Sequence, residues 1–303
     1  MAKYRVQIPW RCEVAIDLGT AYVRVATGKF AVATIPTALS PVLPLRHGVV
    51  TDQQAVADLL GPLLRRANRL GLLRPRVVVG APTDATCEER EALATALYKA
   101  GAAFVTIVSE PLAVAIGAGL DILSPYAQMV VDVGDGVTDC AIVRAGEILE
   151  SHATRVACGS LRERVQGCFH QSWGLCLTAA EVERMIATVG AGKLLRTDTH
   201  ILVKTASRDV GSPVALTVRP ATLQSMIEPL VSEIIDTATN LLQKVPPALG
   251  CEIIESGILL TGGGALLPGL RERLTEAASI KVTTPAKPLE VVIGGLRGML
   301  MHA

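Results

Sequence analysis

The sequence predicts an α/β fold in which two similar domains face each other across a cleft. The main observation is an internal repeat: residues 14–28 (VAIDLGTAYVRVATG) and 130–146 (VVDVGDGVTDCAIVRAG) each run from an apolar strand through an aspartate and a glycine turn into a second apolar strand. Each copy is predicted to be a β-hairpin, with its turn set by Gly19 in the first and by Gly134 and Gly136 in the second. We place the two domains at residues 1–128 and 129–303, the second with a small insert at about 188–218.

The second observation is that strands and helices alternate after each hairpin, as in α/β proteins. Apolar periodicity predicts helices over residues 52–70, 86–100, 178–188 and 220–245, and buried strands at 76–82, 104–108 and 257–264. Thr86 and Glu89 have the spacing of a capping box, and Gly101 is placed to end that helix. The alternation therefore supports two α/β domains.

Composition limits the classes of partner. The chain has 303 residues, of which half are hydrophobic, and 29 Lys and Arg against 28 Asp and Glu, so no overall positive field favours nucleic acid. Its seven cysteines form no CxxC pair, which is typical of a reducing cytoplasm. A short amphipathic stretch around Trp10 leaves membrane association open, and five arginines (Arg65, Arg66, Arg69, Arg74 and Arg76) are interpreted first as a solvated face, with a partner or lipid contact as the alternative.

The two glycine turns are candidate phosphate cradles, because backbone N–H groups without side chains in the way can face an anion. The residues concerned are Gly19, Thr20 and Ala21 in the first turn, and Gly134, Asp135, Gly136, Val137 and Thr138 in the second. Asp17 and Asp132 end the preceding strands and offer hard oxygen ligands for Mg²⁺. One copy alone could be an ordinary turn capped by its aspartate, but two copies at the same spacing favour a Mg-nucleotide.

A third glycine segment, TGGGALLPGL at residues 261–270, follows a buried strand. Gly262, Gly263, Gly264 and Ala265 would allow a flat ligand such as adenosine to approach the backbone. The run taken alone could equally be a tight turn. It is not a dinucleotide-binding fingerprint, because Leu267 stands where the third glycine is required.

These three motifs, in this order, resemble those of the actin superfamily and specifically of the MreB-type bacterial actins. AIDLGTA is similar to the first phosphate motif, VVDVGDGVTDCAIV to the second and GILLTGGGALLPGL to the adenosine motif, and PRVVVGAPTDATCEEREAL and SEPLAVAIGAGL extend the likeness over nearly the whole chain. The resemblance implies two actin-like (ribonuclease H-like) domains around a nucleotide cleft, with ATP or ADP and Mg²⁺ as ligands.

The resemblance also implies roles for individual residues. Glu110 would orient or activate the attacking water, and Thr138 would lie close to the γ-phosphate. Gly159 and Glu181 are added to the nucleotide-binding set on the same basis. The alternative for Glu110 is a glutamate that is merely favoured by the dipole of the following helix.

The sequence departs from the family at several places. Only 31–44 (AVATIPTALSPVLP) stands where MreB has a long excursion, so the small lobe IB is predicted to be absent. Glu183 and Met185 stand where the family has a lysine and a glutamate near the nucleoside, and Tyr22 replaces a polar residue. The missing lobe puts both nucleotide retention and ordinary polymerisation in doubt.

The resulting hypothesis is a cytoplasmic bacterial actin homologue that forms nucleotide-dependent filaments, hydrolyses ATP slowly and serves cell shape or intracellular organisation. The expected partners are other copies of the chain, with a membrane or membrane-protein partner left open and no nucleic acid. A non-polymerising ATP-binding switch or adaptor is the alternative. A small-molecule kinase is a third hypothesis, against which no sugar-binding aspartate is evident.

Overall fold

The computed structural model describes residues 12–27, 32–67, 73–192, 200–207 and 213–301. Parts of several sequence predictions therefore lie outside the described residues, among them the N-terminal stretch around Trp10, Arg69 with the end of the helix predicted at 52–70, and segments of the insert at 188–218. In the first half the strands are β1 (Glu13–Leu18), β2 (Tyr22–Thr27), β3 (Ala33–Pro36), β4 (Leu45–Arg46), β5 (Val49–Val50), β6 (Arg76–Ala81) and β7 (Phe104–Ser109), and the helices are α1 (Gln53–Ala67), α2 (Cys87–Ala100) and α3 (Glu110–Gly117).

The second half has the same kind of alternation. Its strands are β8 (Gln128–Val133), β9 (Thr138–Arg144), β10 (Glu147–Thr154), β11 (Leu175–Cys176), β12 (Ile201–Ser207), β13 (Pro213–Val218), β14 (Ile258–Thr261) and β15 (Val282–Thr283). Its helices are α4 (Cys158–Trp173), α5 (Ala179–Val189), α6 (Pro220–Lys244), α7 (Pro247–Ser256), α8 (Leu270–Ala278) and α9 (Val291–Met301).

The two main sheets have the same topology. Their strand orders are β3-β2-β1-β6-β7 and β10-β9-β8-β14-β15. In each sheet the first three strands pair antiparallel, and the other two continue parallel to the central strand, β1 or β8. The repeat seen in the sequence is thus a repeat in structure, and both predicted hairpins are confirmed within the described residues.

Local sequence signals set the helix boundaries. Thr86 Oγ1 accepts from Glu89 N, and the Glu89 side chain accepts from Thr86 N, which forms the predicted capping box. Gly101 ends α2 with a φ of 112°, a left-handed conformation that glycine adopts without steric cost. At the other end of the chain, α6 stops one residue before Val245, as expected ahead of Pro246 and Pro247.

Each main sheet has its own hydrophobic core, and two helices join the sheets. Helix α3, from the first half, packs against β8 and β9, whereas α9, from the second half, packs against β1, β2 and β6. The two helices also pack closely on each other. Because α9 contacts the first sheet, the contacts between the halves do not follow chain order, and the division at residue 128 stays a prediction.

The small lobes differ between the halves. Residues 32–52, all described, hold only β3, a three-residue 3₁₀ turn at Thr37–Leu39 and the two-residue strands β4 and β5, so no lobe is present in that segment. The second half has a small three-stranded sheet of order β11-β12-β13 beside α5. In the part of the chain that the structure describes, no helix is long and apolar enough to cross a membrane.

The contact between α3 and α9 gives a prediction about stability. A Cβ at Gly295 would lie 1.7 Å from the carbonyl oxygen of Ala113, whereas a Cβ at the adjacent Gly294 would meet nothing closer than 3.9 Å. We expect Gly295→Ala to lower the free energy of unfolding by about 3 kcal/mol, because the helices must move apart. Urea denaturation followed by circular dichroism measures the change.

The matched control is Gly294→Ala in the same helix. It should leave stability unchanged or raise it by up to about 1 kcal/mol, since alanine favours helix over glycine. Equal effects of the two substitutions would show that the close contact between α3 and α9 does not stabilise the fold.

Candidate functional site

The two predicted cradles are equivalent turns that meet each other. Gly19 N donates to Tyr22 O at 3.1 Å, and Gly134 N donates to Val137 O at 2.9 Å, so both hairpins close with the same bond. A Cβ at Gly136 would lie 2.3 Å from Thr20 Oγ1 and 2.5 Å from the backbone N of Gly48, so only glycine allows this approach. The structure therefore brings the two turns into direct contact.

The first turn is held from its carbonyl side. Thr37 N donates to Ala21 O at 2.9 Å, and Thr37 Oγ1 donates to Gly19 O at 2.9 Å. Thr20 Oγ1 accepts from Gly48 N at 3.0 Å. With these groups paired, the turn is fixed before any ligand arrives, which is what a pre-organised anion site requires.

The second turn is tied to the start of α4. Gly159 N donates to Asp135 O at 2.8 Å, and the Asp135 carboxylate forms an ion pair with Arg162. Thr138 is fully buried, and its hydroxyl donates to the carbonyl of Val156 at 2.8 Å. The side chains of Asp135 and Thr138 thus have protein partners, and the predicted role of Thr138 beside a γ-phosphate stays a prediction.

The third glycine segment lies against the end of β8. Gly262 has a φ of 78°, and a Cβ there would lie 2.4 Å from Asp132 Oδ1. Gly263 faces the Cys158 sulfur, Gly264 packs on Val133, and Ala265 N donates to Gly262 O at 3.3 Å. The segment predicted to face adenosine is therefore adjacent to the aspartate of the second hairpin.

Asp17 has a partner that the sequence analysis missed. Arg24 lies opposite Asp17 on the antiparallel strand β2, and its Nη1 donates to Asp17 Oδ2 at 2.9 Å. Burial raises the pKa of Asp17, and the Arg24 guanidinium opposes the rise. Pairing residues 17 and 24 across the predicted hairpin would have found this contact.

Unlike Asp17, Asp132 has a buried carboxylate oxygen without a partner. It is 7% exposed, and its Oδ1 has no hydrogen-bond partner, the one such buried side-chain atom among the described residues. Burial, helped by the nearby charges of Asp17 and Asp139, raises the pKa of Asp132 to about 7. An unpartnered buried carboxylate oxygen destabilises the protein unless a cation or a proton compensates it.

Glu110 begins α3 beside a narrow cavity. The cavity has a volume of about 20 Å³, enough for about one water molecule, and its lining includes Leu18, Gly48, Gly80 and Glu110. Burial raises the pKa of Glu110 well above its ordinary value, and the charges of Asp132, Asp17 and Asp139 raise it further. The structure therefore places Glu110 within the electrostatic reach of both hairpin aspartates.

Two cross-links connect the halves on this side of the cleft. Asp139, in β9, accepts from Thr83 N at 2.8 Å and also from the Thr83 hydroxyl. Burial raises the pKa of Asp139 to about 6 although both Thr83 bonds lower it. Neither residue was singled out from the sequence, although Asp139 directly follows the motif residue Thr138.

Arg155 makes the second cross-link. Its guanidinium donates to Asp84 Oδ2 at 2.8 Å, to Glu89 Oε2 at 3.2 Å and to the carbonyl of His47 at 2.7 Å. All three acceptors belong to the first half. No local motif marks Arg155, because its partners lie far away in the sequence.

Helix α5 carries Glu181, Glu183 and Met185. The Glu181 carboxylate accepts from Thr178 N at 2.9 Å and from Thr178 Oγ1 at 2.8 Å, so its observed role is to cap α5. Met185 is fully buried in the core, and Glu183 is exposed. The role of Glu181 at a nucleotide stays a prediction.

The carboxylates fit a Mg²⁺ ion that is shared with phosphates. Asp132 Oδ1 is unpartnered and buried, while Asp17 has one oxygen on Arg24. In the described ranges no group of three or more His, Cys, Asp or Glu side chains could hold a metal by itself. Mg²⁺ usually takes one or two carboxylates and completes its shell with water and phosphate oxygens, so a site of this kind is compatible with these residues.

Comparisons with known proteins show which family the chain resembles. The family model "MreB/Mbl protein" matches residues 26–303. The chain is 31% identical over 296 residues to the cell shape-determining protein Mbl of Bacillus subtilis (95% of this chain, 87% of Mbl), and 30% identical over 263 residues to the cell shape-determining protein MreB of Escherichia coli (86% and 76%).

Solved structures show the same fold. MreB5 of Spiroplasma citri bound to ADP superposes with a TM-score of 0.85 at 23% identity and covers 97% of both chains. The MamK double helical filament superposes with a TM-score of 0.78 at 18% identity and covers 96% of this chain and 99% of MamK. The predicted actin-like fold is confirmed.

The raised pKa of Asp132 predicts how stability changes with pH. The folded protein holds a proton on Asp132 up to about pH 7, whereas the unfolded chain releases it near pH 3.8. The stabilisation is therefore complete below the unfolded pKa and is lost as pH rises toward 7, by at most about 4 kcal/mol. Denaturation at several pH values without nucleotide or divalent cation measures it.

Asp132→Asn should remove the part of this pH dependence that Asp132 contributes, since asparagine does not titrate. The part due to Asp17, Asp139 and Glu110, whose pKa values are also raised, should remain. Asp236→Asn, an exposed substitution on α6, is the control and should follow the wild-type profile. A wild-type slope retained in Asp132→Asn would contradict a buried proton at this position.

Proposed function

The chain belongs to the MreB/Mbl protein family, and from this premise we propose that it binds ATP with Mg²⁺ in the cleft and assembles with its own copies into filaments. The supporting observation is the pair of equivalent hairpin turns that meet at Gly136, with the unpartnered oxygen of Asp132 beside them. Backbone N–H groups of both turns would hold the phosphates, and the glycines at 262–264 would face the nucleoside.

The cation would be held by Asp132 and by the second oxygen of Asp17, together with phosphate oxygens. When bound, Mg²⁺ neutralises charge that develops on the transferred phosphoryl group. When no cation is bound, Arg24 compensates part of the negative charge of Asp17. A bound cation would therefore stabilise Asp132 more than Asp17, because Asp17 already pairs with Arg24 and Asp132 Oδ1 has no partner.

Glu110 would act as the base or orienting group for the attacking water in a slow hydrolysis. Its pKa is held high partly by Asp132 and Asp17. Burial is the largest cause of the raised pKa, and compensating the two carboxylates would remove only their smaller part of it. Filling the site would therefore move Glu110 toward the ionised form that accepts a proton.

The assembly and the biological role rest on the relatives. MreB and Mbl are named as cell shape-determining proteins, MreB5 was crystallised with ADP, and MamK was solved as a double helical filament. We extend filament formation, a cytoplasmic location and a role in cell shape to this chain. A membrane or membrane protein is a further partner that filament formation does not require.

A second candidate is a nucleotide-binding switch or adaptor that does not polymerise. The observation in its favour is the segment 32–52, which holds no lobe beside the cleft. The cross-links of Asp139 and Arg155 between the halves would then transmit nucleotide occupancy to a partner. The two candidates predict different behaviour in one experiment.

That experiment is pelleting of the purified protein with ATP, ADP or no nucleotide, with electron microscopy of the pellets. The filament proposal predicts ordered polymers only with nucleotide. Glu110→Gln should make them persist longer and slow phosphate release by about 100-fold, the usual contribution of a general base.

Glu91→Gln, an exposed substitution on α2, serves as the control and should behave as wild type. Protein that binds ATP but never pellets would favour the switch. Unchanged phosphate release in Glu110→Gln would remove Glu110 from the hydrolysis step.

A further inference from the structure

A second cavity lies on the first half, away from the cleft. It has a volume of about 220 Å³ and is lined by Leu64, Arg65, Arg74, Lys99, Ala100 and Gly101. These residues come from the end of α1, the segment before β6 and the end of α2. Three separate parts of the chain thus direct cationic side chains to one concavity.

The sheet topology separates this cavity from the nucleotide site. Strand β6 begins at Arg76, two residues after Arg74, and runs parallel to β1 toward the cleft, where Gly80 lines the cavity of Glu110. A strand of this length spans about 20 Å. The basic cavity therefore lies at the opposite end of the first sheet.

No acidic side chain among the described residues compensates the charge of the cavity. Its described lining is free of Asp and Glu, and Lys99 Nζ donates to the neutral oxygen of Gln53 at 2.9 Å. Among the described residues, Arg65 and Arg74 take part in no ion pair, whereas the neighbouring Arg76 lies 3.8 Å from Glu13. Three positive charges are thus concentrated in a chain whose formal net charge is only +1.

Helix dipoles explain only part of this cluster. Arg65 and Lys99 stand in the last turns of α1 and α2, where cations are favourable. Arg74 belongs to no helix, so no helix dipole accounts for its place in the cluster. An anion in the cavity would compensate these positive charges.

We propose that this cavity binds a phosphate group. Two guanidinium groups and an ammonium supply the planar and point-charge donors that phosphate oxygens accept. The volume is below the range of about 300 to 1,000 Å³ typical of sites for drug-sized ligands, so a single phosphate fits it better than a nucleotide. A soluble phosphate monoester and a phospholipid headgroup share this chemistry.

The test compares two phosphate sources. Inorganic phosphate and glycerol phosphate are titrated calorimetrically into the full chain, and vesicles of phosphatidylcholine, with or without phosphatidylglycerol, are co-sedimented with it. Arg65→Ala and Arg74→Ala should each weaken binding by about tenfold, as expected for the loss of one charged donor. Thermal unfolding of each variant confirms that these exposed substitutions leave the fold intact.

Arg66→Ala is the matched control, because Arg66 is the neighbouring arginine of α1 but does not line the cavity. It should change binding by less than about twofold. Loss with soluble phosphates supports a free monoester as ligand, and loss confined to anionic vesicles supports a headgroup. No saturable binding by the wild type, or equal losses in Arg65→Ala and Arg66→Ala, would overturn the proposal. The affinity for phosphate bound in the nucleotide cleft would change in neither Arg65→Ala nor Arg66→Ala.

Discussion

The burial of carboxyl groups between the two sheets is the constraint on which the rest of the structure depends. Asp17, Asp132 and Asp139 are buried, Glu110 lies among them, and each has its pKa raised by burial. Arg24 pairs with Asp17 and Thr83 with Asp139, but Asp132 keeps an unpartnered oxygen. Groups arranged in this way lower stability in isolation and become favourable with a cation, so the site and the fold are energetically coupled.

Close backbone approaches allow these carboxyl groups to come together. The absence of side chains at Gly136 and Gly262 lets three turns from different parts of the chain meet at one edge. The exchange of α3 and α9 between the sheets, which depends on the contact at Gly295, then fixes the two halves relative to each other. The hydrogen bonds of Arg155 to Asp84, His47 and Glu89 also connect the two halves near this edge.

The parts of the structure that depend on neighbours in sequence could be predicted. Both hairpins follow from alternating apolar residues around a glycine turn, and α2 from its capping box and Gly101. The contacts of Arg155 could not, because its partners are 66 to 108 residues away and no pattern at residue 155 indicates them. The hydrogen bonds of Glu181 to Thr178 were not predicted, although their spacing is that of a capping box.

The most direct test of the central claim is calorimetric titration of Mg-ATP into the wild type and Asp132→Ala. If the unpartnered oxygen of Asp132 is the principal protein ligand of the cation, Asp132→Ala should weaken Mg-ATP binding by about tenfold or more, with a smaller effect on ATP in the presence of a chelator. Asp17→Ala should also weaken it, and the exposed Asp236→Ala should not. Unchanged affinity in both Asp132→Ala and Asp17→Ala would contradict a cation site between the two hairpins.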